Sequence, residues 1–385
     1  MARLGDIIEQ IRGVSYKPED LRDTLDDNSV TLLRANNIQD GKLNFDDVVY
    51  IDKRKVKLAQ YLKAGDILVC TSSGSKDLVG KAAYAILDAP AVFGAFCKIV
   101  RTKSGNSQFI GHYFDSPSYR RKISDLAAGV NINNIRNEHI DELIIPVPSS
   151  EEQEEIVSIL NTINRLISLR KQQLSKLEEF VKSRFIELFG GINDSRIYPY
   201  KTVKELTDVI SGGTPSREAN EYWKDGTIPW VKTTELHNNI ITEIDEYITK
   251  AGLDNSSAKL VPVGTILIAM YGQGKTRGMT GYLGVEACTN QACACILPSN
   301  SVNQKFLWQY FVLSYDNLRD MAKGGNQPNL NGNIIKNYPV LYPPIELQNQ
   351  FAAFVEQTDK AKSAVQQSLN ELETLKKALM QKYFG

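Results

Sequence analysis

The sequence predicts an α+β protein in which two globular mixed α/β domains alternate with two long helices. Two observations carry this reading. Sliding the 385-residue chain along itself by 195 positions lays residues 148–190 on 343–385 without a gap. Each of those segments then runs for about 38 residues without Pro or Gly, between a proline turn and a closing glycine, the expected punctuation of a helix. Self-similarity on this scale sets the organisation before any local pattern does.

The elements follow in chain order. A first globule occupies 1–146, a long helix 147–190, a second globule 191–341 and a second long helix 342–385. Apolar runs at 48–51 and 97–100 read as strands of the first globule, and those at 266–270 and 292–297 as strands of the second, with a helix over 305–314. The globules are loosely related. Gly65-Asp66-Ile67-Leu68-Val69 resembles Gly264-Thr265-Ile266-Leu267-Ile268, in each case a turn, a short strand and then a loop rich in Gly, Ser or Lys.

The helices match much more closely. Pro148, Gln153, Gln172, Leu174 and Leu177 fall on Pro343, Gln348, Gln367, Leu369 and Leu372, and both copies end in Phe-Gly. In the first, Leu160, Ile167, Leu174, Val181 and Leu188 recur every seven residues, with Ile163 and Leu177 on an intervening line that Arg170 and Arg184 interrupt. In the second, Val355, Leu369 and Tyr383 share one line, which Lys362 and Lys376 interrupt, and Val365, Leu372 and Leu379 share another. These are heptad seams. Two such helices, each roughly 55 Å long at 1.5 Å per residue, are better explained by packing on each other than each on its own globule.

Charge narrows the function. Forty-five Lys and Arg offset 45 Asp and Glu, so there is no global basic field, and phosphate contacts must come from local clusters or from partner subunits. The content of 42% apolar and 23% charged residues suits a soluble globular protein. No run approaches the ~18 apolar residues of a membrane span, and the opening Met1-Ala2-Arg3-Leu4-Gly5-Asp6 lacks the layout of a signal peptide. Five cysteines without metal-ligand spacing read as reduced core thiols of a cytoplasmic protein.

Candidate binding residues sit in loops. Tyr271-Gly272-Gln273-Gly274-Lys275-Thr276-Arg277-Gly278 is not a P-loop, because Ala269 stands where the motif needs its first glycine. It reads instead as a flexible loop after a strand, in which Gln273, Lys275, Thr276 and Arg277 present groups that can pair with base edges; the alternative is a solvated hairpin tip. Ser72, Ser73, Ser75 and Lys76 form the corresponding loop of the first globule. Thr214, Ser216 and Arg217 lie in a Ser-Gly-Gly-Thr-Pro-Ser segment whose hydroxyls and backbone N–H groups are of the kind that hold phosphates. Asn131, Asn133, Asn134, Asn326, Gln327 and Asn329 either read adenine edges or form turns. The basic clusters at 53–57 and 120–122 suit phosphate attachment or a solvated face. His112, His139 and His237 have no metal-ligand spacing, and neither a methyltransferase Asn-Pro-Pro-aromatic motif nor a Gly-x-Ser-x-Gly elbow occurs. No catalytic residue, metal or cofactor is assigned to this chain.

The layout resembles the specificity subunit of a type I restriction–modification enzyme over essentially its whole length. Carrying the resemblance are the Pro-x-x-Glu-x-Gln turn from Pro148 to Gln153, its echo from Pro343 to Gln348, the helices ending in Phe-Gly, the glycine loop after the strand and the Ser-Gly-Gly-Thr-Pro-Ser segment. The first globule departs from it, with Arg12-Gly13-Val14-Ser15-Tyr16-Lys17 at the corresponding place. The resemblance implies two target-recognition domains related by a pseudo-two-fold, each reading half of a split double-stranded DNA target. It also implies an antiparallel coiled coil that sets the gap, and no catalysis on this chain. Two modification subunits using S-adenosylmethionine and two restriction subunits using ATP and Mg would be the partners, with the polar helix interruptions facing them. The rival class is a tandem-domain scaffold or regulator without sequence-specific DNA binding.

Overall fold

Ile67–Cys70 and its counterpart Ile266–Ala269 are buried at every residue, as expected of short, uniformly apolar runs that become central strands. The computed structural model describes residues 1–74, 78–128, 134–192, 197–272, 274–322 and 329–385. It divides into two units: Met1–Gln172 with Val365–Gly385, and Gln173–Ala364.

In the first unit an antiparallel sheet runs in the order Ile8–Arg12, Cys97–Thr102, Ile67–Cys70 and Ala82–Tyr84. A second sheet holds Ala91–Phe93, Ser29–Leu33, Val49–Asp52 and Leu21–Arg22, its first two strands parallel. The second unit repeats this plan. Val209–Ser211, Cys293–Ile296, Ile266–Ala269 and Thr280–Leu283 form the antiparallel set, with Asn239–Ile241 added parallel at the edge. Its smaller sheet places Ile228–Val231 between Tyr247–Ile248 and a parallel Cys288–Thr289.

The two long helices are Ser150–Phe189 and Ile345–Phe384, 40 residues each. Each contributes one half to each unit. In the first unit Val157 and Leu160 of one helix share a core with Met380 and Phe384 of the other, and Arg170 Nε donates to Ser368 Oγ at 3.2 Å. In the second, Phe180 meets Phe354 and Phe185 meets Phe351 at ring separations of 5.0 and 5.5 Å. Rising numbers on one helix meet falling numbers on the other, so the halves run antiparallel. Leu160, Ile163, Val181, Val355, Val365 and Leu369 are buried, and Ile167, Leu174, Leu177, Leu188, Leu372 and Leu379 half-buried. The polar interruptions find partners within the chain. Besides Arg170, Lys376 bonds Asp115 at 2.7 Å and Arg184 lies over the Phe354 ring.

The repeated motifs of the helices are fasteners. Gln153 donates to the Pro148 carbonyl at 2.9 Å and accepts from Asn106 N at 3.2 Å; Gln348 does the same with the Pro343 carbonyl and Asn303 N at 2.8 and 2.9 Å. Asn106 and Asn303 are themselves the N-caps of the helices Ser107–Phe114 and Gln304–Leu313. Each glutamine therefore ties the start of a long helix to the capped end of a globule helix. The Phe-Gly ends work the other way. Phe384 packs on Phe109 at 5.1 Å in the first unit, and Phe189 on Phe306 at 5.4 Å in the second. The helix that leaves one globule ends in the core of the other unit.

Candidate nucleic-acid interface

In both units the loop after the central strand is built by the same backbone bonds. Cys70 N donates to Lys81 O and Gly80 N to Cys70 O; Ala269 N donates to Met279 O and Gly278 N to Ala269 O. Gly80 and Gly278 have φ of +81° and +86°, a backbone that other residues rarely adopt, so the loop closes at a glycine in each copy. An arginine from a nearby helix clamps the carbonyl just before it: Arg120 Nη1 to Val79 O at 2.8 Å, and Arg319 Nη1 to Arg277 O at 2.9 Å. Tyr315 Oη holds Lys275 O at 2.7 Å in the second loop. The chain after the Asn-rich stretch returns to the start of each loop. Ile135 N bonds Thr71 O at 2.7 Å and Leu330 N bonds Met270 O at 3.0 Å, while Ser72 and Asn134 form an isolated bridge. Among the described residues, Ser72 and Asn134 therefore meet in the first unit, and the chain beside Asn329 returns to the start of the second loop.

Ser72 and Ser73 are half-buried and Asn134 exposed at this junction; in the second unit Lys275 and Asn329 are exposed and Thr276 and Arg277 half-buried. Ser75, Lys76, Asn131, Asn133, Gln273, Asn326 and Gln327 lie outside the described residues.

The segment 211–217 is locked from several sides. Trp230 Nε1 donates to Gly213 O and Trp223 Nε1 to Ser216 O, each at 2.9 Å, and Thr214 bonds Gln291. The Arg217 guanidinium lies 3.6 Å from the Trp223 ring centroid and bonds Glu246 at 2.7 Å. Burial pushes the Glu246 carboxyl up, but hydrogen bonds from Lys232 and Arg217 outweigh it and hold the group below the usual carboxylate range. Arg217 is therefore exposed but held to Glu246 and the Trp223 ring, and the Ser216 side chain beside it is exposed as well. The first globule's apparent departure is smaller in space than in sequence. Gly13 N bonds Cys97 O and Val14 N bonds Phe93 O, just as Gly212 N bonds Cys293 O and Gly213 N bonds Thr289 O. A Cβ at Gly13 or Gly212 would stand 2.1 Å from its nearest neighbour, so this crossing needs one glycine, and both copies have it.

Two clefts adjoin these segments. In the second unit Ser211, Ser257, Lys259, Asn331, Asn333 and Lys336 line a space of about 610 Å³ with no acidic residue among its walls. In the first, Tyr16, Arg34, Asn36, Ser72, Ser73 and Phe96 line about 330 Å³. Arg34, Phe96, Lys259 and Lys336 were not singled out from the sequence. A signal for the first existed: Leu33-Arg34 and Val231-Lys232 both place a cation directly after an apolar strand. Among the described residues no group of three or more His, Cys, Asp or Glu side chains is arranged to hold a metal ion. All five cysteines are buried, and no described helix is long and apolar enough to cross a membrane.

One globule present in two copies, each packed against halves of the same two helices and each with a cleft beside its loops, defines a tandem-repeat α+β fold. The chain belongs to the family of the type I restriction modification DNA specificity domain, whose profile matches residues 1–179 and again 198–374. It is 38% identical over 198 residues to the type I restriction enzyme EcoKI specificity subunit of Escherichia coli K12, covering 51% of this chain and 43% of that one. It is 40% identical over 182 residues to the StySPI specificity subunit of Salmonella potsdam, covering 47% and 39%. These matches thus span less than half of either relative. The putative MjaX specificity subunit of Methanocaldococcus jannaschii is matched over 98% of this chain and 90% of its own, at 23% identity. In fold the chain is similar to the S subunit of a type I restriction–modification system from M. genitalium, with a TM-score of 0.61 and 15% identity over 100% of this chain and 95% of that one.

Proposed function

We propose that this chain is the sequence-specific DNA-recognition subunit of a type I restriction–modification complex and carries no catalytic site. Each globule reads one half of a split double-stranded target, and the paired helices set the gap and dock the modification subunits. The observation that carries this reading is the convergence, in both units, of the loop after the central strand with the segment following the Asn-rich stretch. A scaffold repeated bond for bond, with different side chains on its loops, is suited to reading two different sequences. The neutral charge balance follows if partners share the phosphate contacts. S-adenosylmethionine belongs to two modification subunits, and ATP with Mg to two restriction subunits, all of them cytoplasmic.

A selection on random duplexes with the modification subunit present tests this. Enrichment of two short sequences at a fixed gap is the expected outcome. Binding without sequence preference would instead leave a tandem scaffold.

A further inference from the structure

Arg34 follows Ser29–Leu33, an inner strand of the second sheet in the first unit, and lines the cleft beside Ser72 and Ser73. Its surroundings differ from those of an ordinary surface cation. Its Nη2 donates to Asp47 Oδ1 at 3.3 Å, and Asn36 Nδ2 donates to Asp47 Oδ2 at 2.6 Å, so one carboxylate fixes both side chains. Arg34 Nε is buried without a hydrogen-bond partner. A buried donor left unpaired is uncommon, and it leaves the outer guanidinium nitrogens as the part of Arg34 that faces the cleft. At the mouth of the same cleft Phe96 is 66% exposed, a large apolar ring kept in water.

The equivalent place in the second unit is different. Lys232 stands where Arg34 does and bonds Glu246 at 2.9 Å; Ala292 stands where Phe96 does, since Met270 N bonds Ala292 O as Thr71 N bonds Phe96 O. The aromatic, arginine-lined cleft is therefore a property of the first globule and not of the shared scaffold. Asp47 decides what it suits. A carboxylate bonded to the guanidinium repels a phosphate, yet holds the planar fork in one orientation for a neutral base edge. Arginine pairs in a bidentate way with guanine O6 and N7, and apolar groups pack on bases or on the thymine methyl.

We propose that Arg34, oriented by Asp47, reads a guanine in the half-target taken by the first globule, with Phe96 packing on the neighbouring base. This rests on the DNA-recognition reading above. The test uses the chain assembled with its modification subunit. Methylation is measured on duplexes carrying every base at each position of both half-sites, for the wild type, Arg34→Ala, Arg34→Lys and Phe96→Ala. The wild type should demand guanine at one position. Arg34→Ala should lose about ten- to a hundredfold of that discrimination at that position alone, and Arg34→Lys should not restore it, because an ammonium lacks the bidentate fork. Phe96→Ala should relax an adjacent position, and it carries the test alongside Arg34→Lys if Arg34→Ala fails to fold. An equal loss on every sequence would make Arg34 a phosphate contact or a structural residue, and unchanged discrimination would remove it from the interface; either overturns the proposal. A wild type without any sequence preference would instead sink the DNA-recognition reading itself.

Discussion

The two globules share the backbone bonds that shape their loops and differ in their charges. The first pairs Arg34 with Asp47 under an exposed Phe96, whereas the second ties Lys232 and Arg217 to Glu246 at the equivalent place and elsewhere has a cleft at Lys259 and Lys336 without an acid among its described walls. Shared features are those the fold cannot vary. They are the glycine at the strand crossing, the glycine closing the loop with an arginine clamping the carbonyl before it, and the glutamine fastening each long helix. The lesson is that a duplicated domain diverges at side chains facing solvent while the bonds that shape its loops stay put.

The two units should separate most clearly in their response to changes at the helix ends. Phe189 and Phe384 are fully buried, each in a different unit. Truncating a buried phenylalanine costs about 3–5 kcal/mol. Phe384→Ala should lower amide-exchange protection in Ser107–Phe114 and spare Gln304–Leu313, and Phe189→Ala should do the reverse. Equal loss in both units from either change would mean that the units do not open separately.

A smaller effect is expected at the fasteners. Removing Gln348 leaves the Asn303 N–H and Pro343 carbonyl without a partner beneath a side chain only 1% exposed, whereas Gln153 is 7% exposed. Gln348→Ala should destabilise by about 1–3 kcal/mol and Gln153→Ala by less, measured as urea midpoints at constant m-value.

How much of this was legible in the sequence depended on range. The long helices were plain because heptad spacing and Pro/Gly punctuation are local signals, and the main strands were legible as apolar runs. The run at 48–51 shows the limit, since the strand is Val49–Asp52 and its end is set by pairing across the sheet. Gly13 looked like a lost motif because sequence comparison weighs the whole Gly-Gly-Thr-Pro string, whereas only the glycine at the strand crossing is common to both copies; Gly213 answers to the Ser257–Ala258 backbone of the second unit alone. Arg34 and Lys232 escaped notice for a related reason. Their equivalence rests on the parallel pairing of Ala91–Phe93 with Ser29–Leu33 and of Cys288–Thr289 with Ile228–Val231, contacts about sixty residues apart.

Finer differences sharpen the comparison further. Lys259 and Lys336 line a cleft without an acid, so changing either to Ala should weaken DNA binding alike for all sequences and reduce the salt slope by about one. A change in base preference would contradict phosphate contact there. The smallest effect concerns pH. Burial holds His112 below its ordinary range, with Asp115 and the Asn161 hydrogen bond opposing and Lys376 reinforcing that shift. The unfolded chain then binds the proton more readily, so stability is complete above about pH 6.5 and falls as pH drops. Gln309, at the matching place in the second unit, does not titrate. His112→Gln should therefore flatten the acid slope of the first unit and leave the second unchanged, read by exchange protection at pH 5 and 7.

We propose that the paired helices set the gap between the two half-sites. Arg170 bonds Ser368 and Phe180 meets Phe354 edge to face, so lengthening must be made in both helices at facing points. Four residues added after Gln172 and four after Ala364 lengthen the pair by about 6 Å at 1.5 Å per residue, one to two base pairs at about 3.4 Å each. Methylation by the assembled complex, assayed on duplexes that differ only in the gap between fixed half-sites, should then move to a gap one or two pairs longer with both half-sequences unchanged. A lengthened protein that folds, methylates and still prefers the original gap would contradict the account.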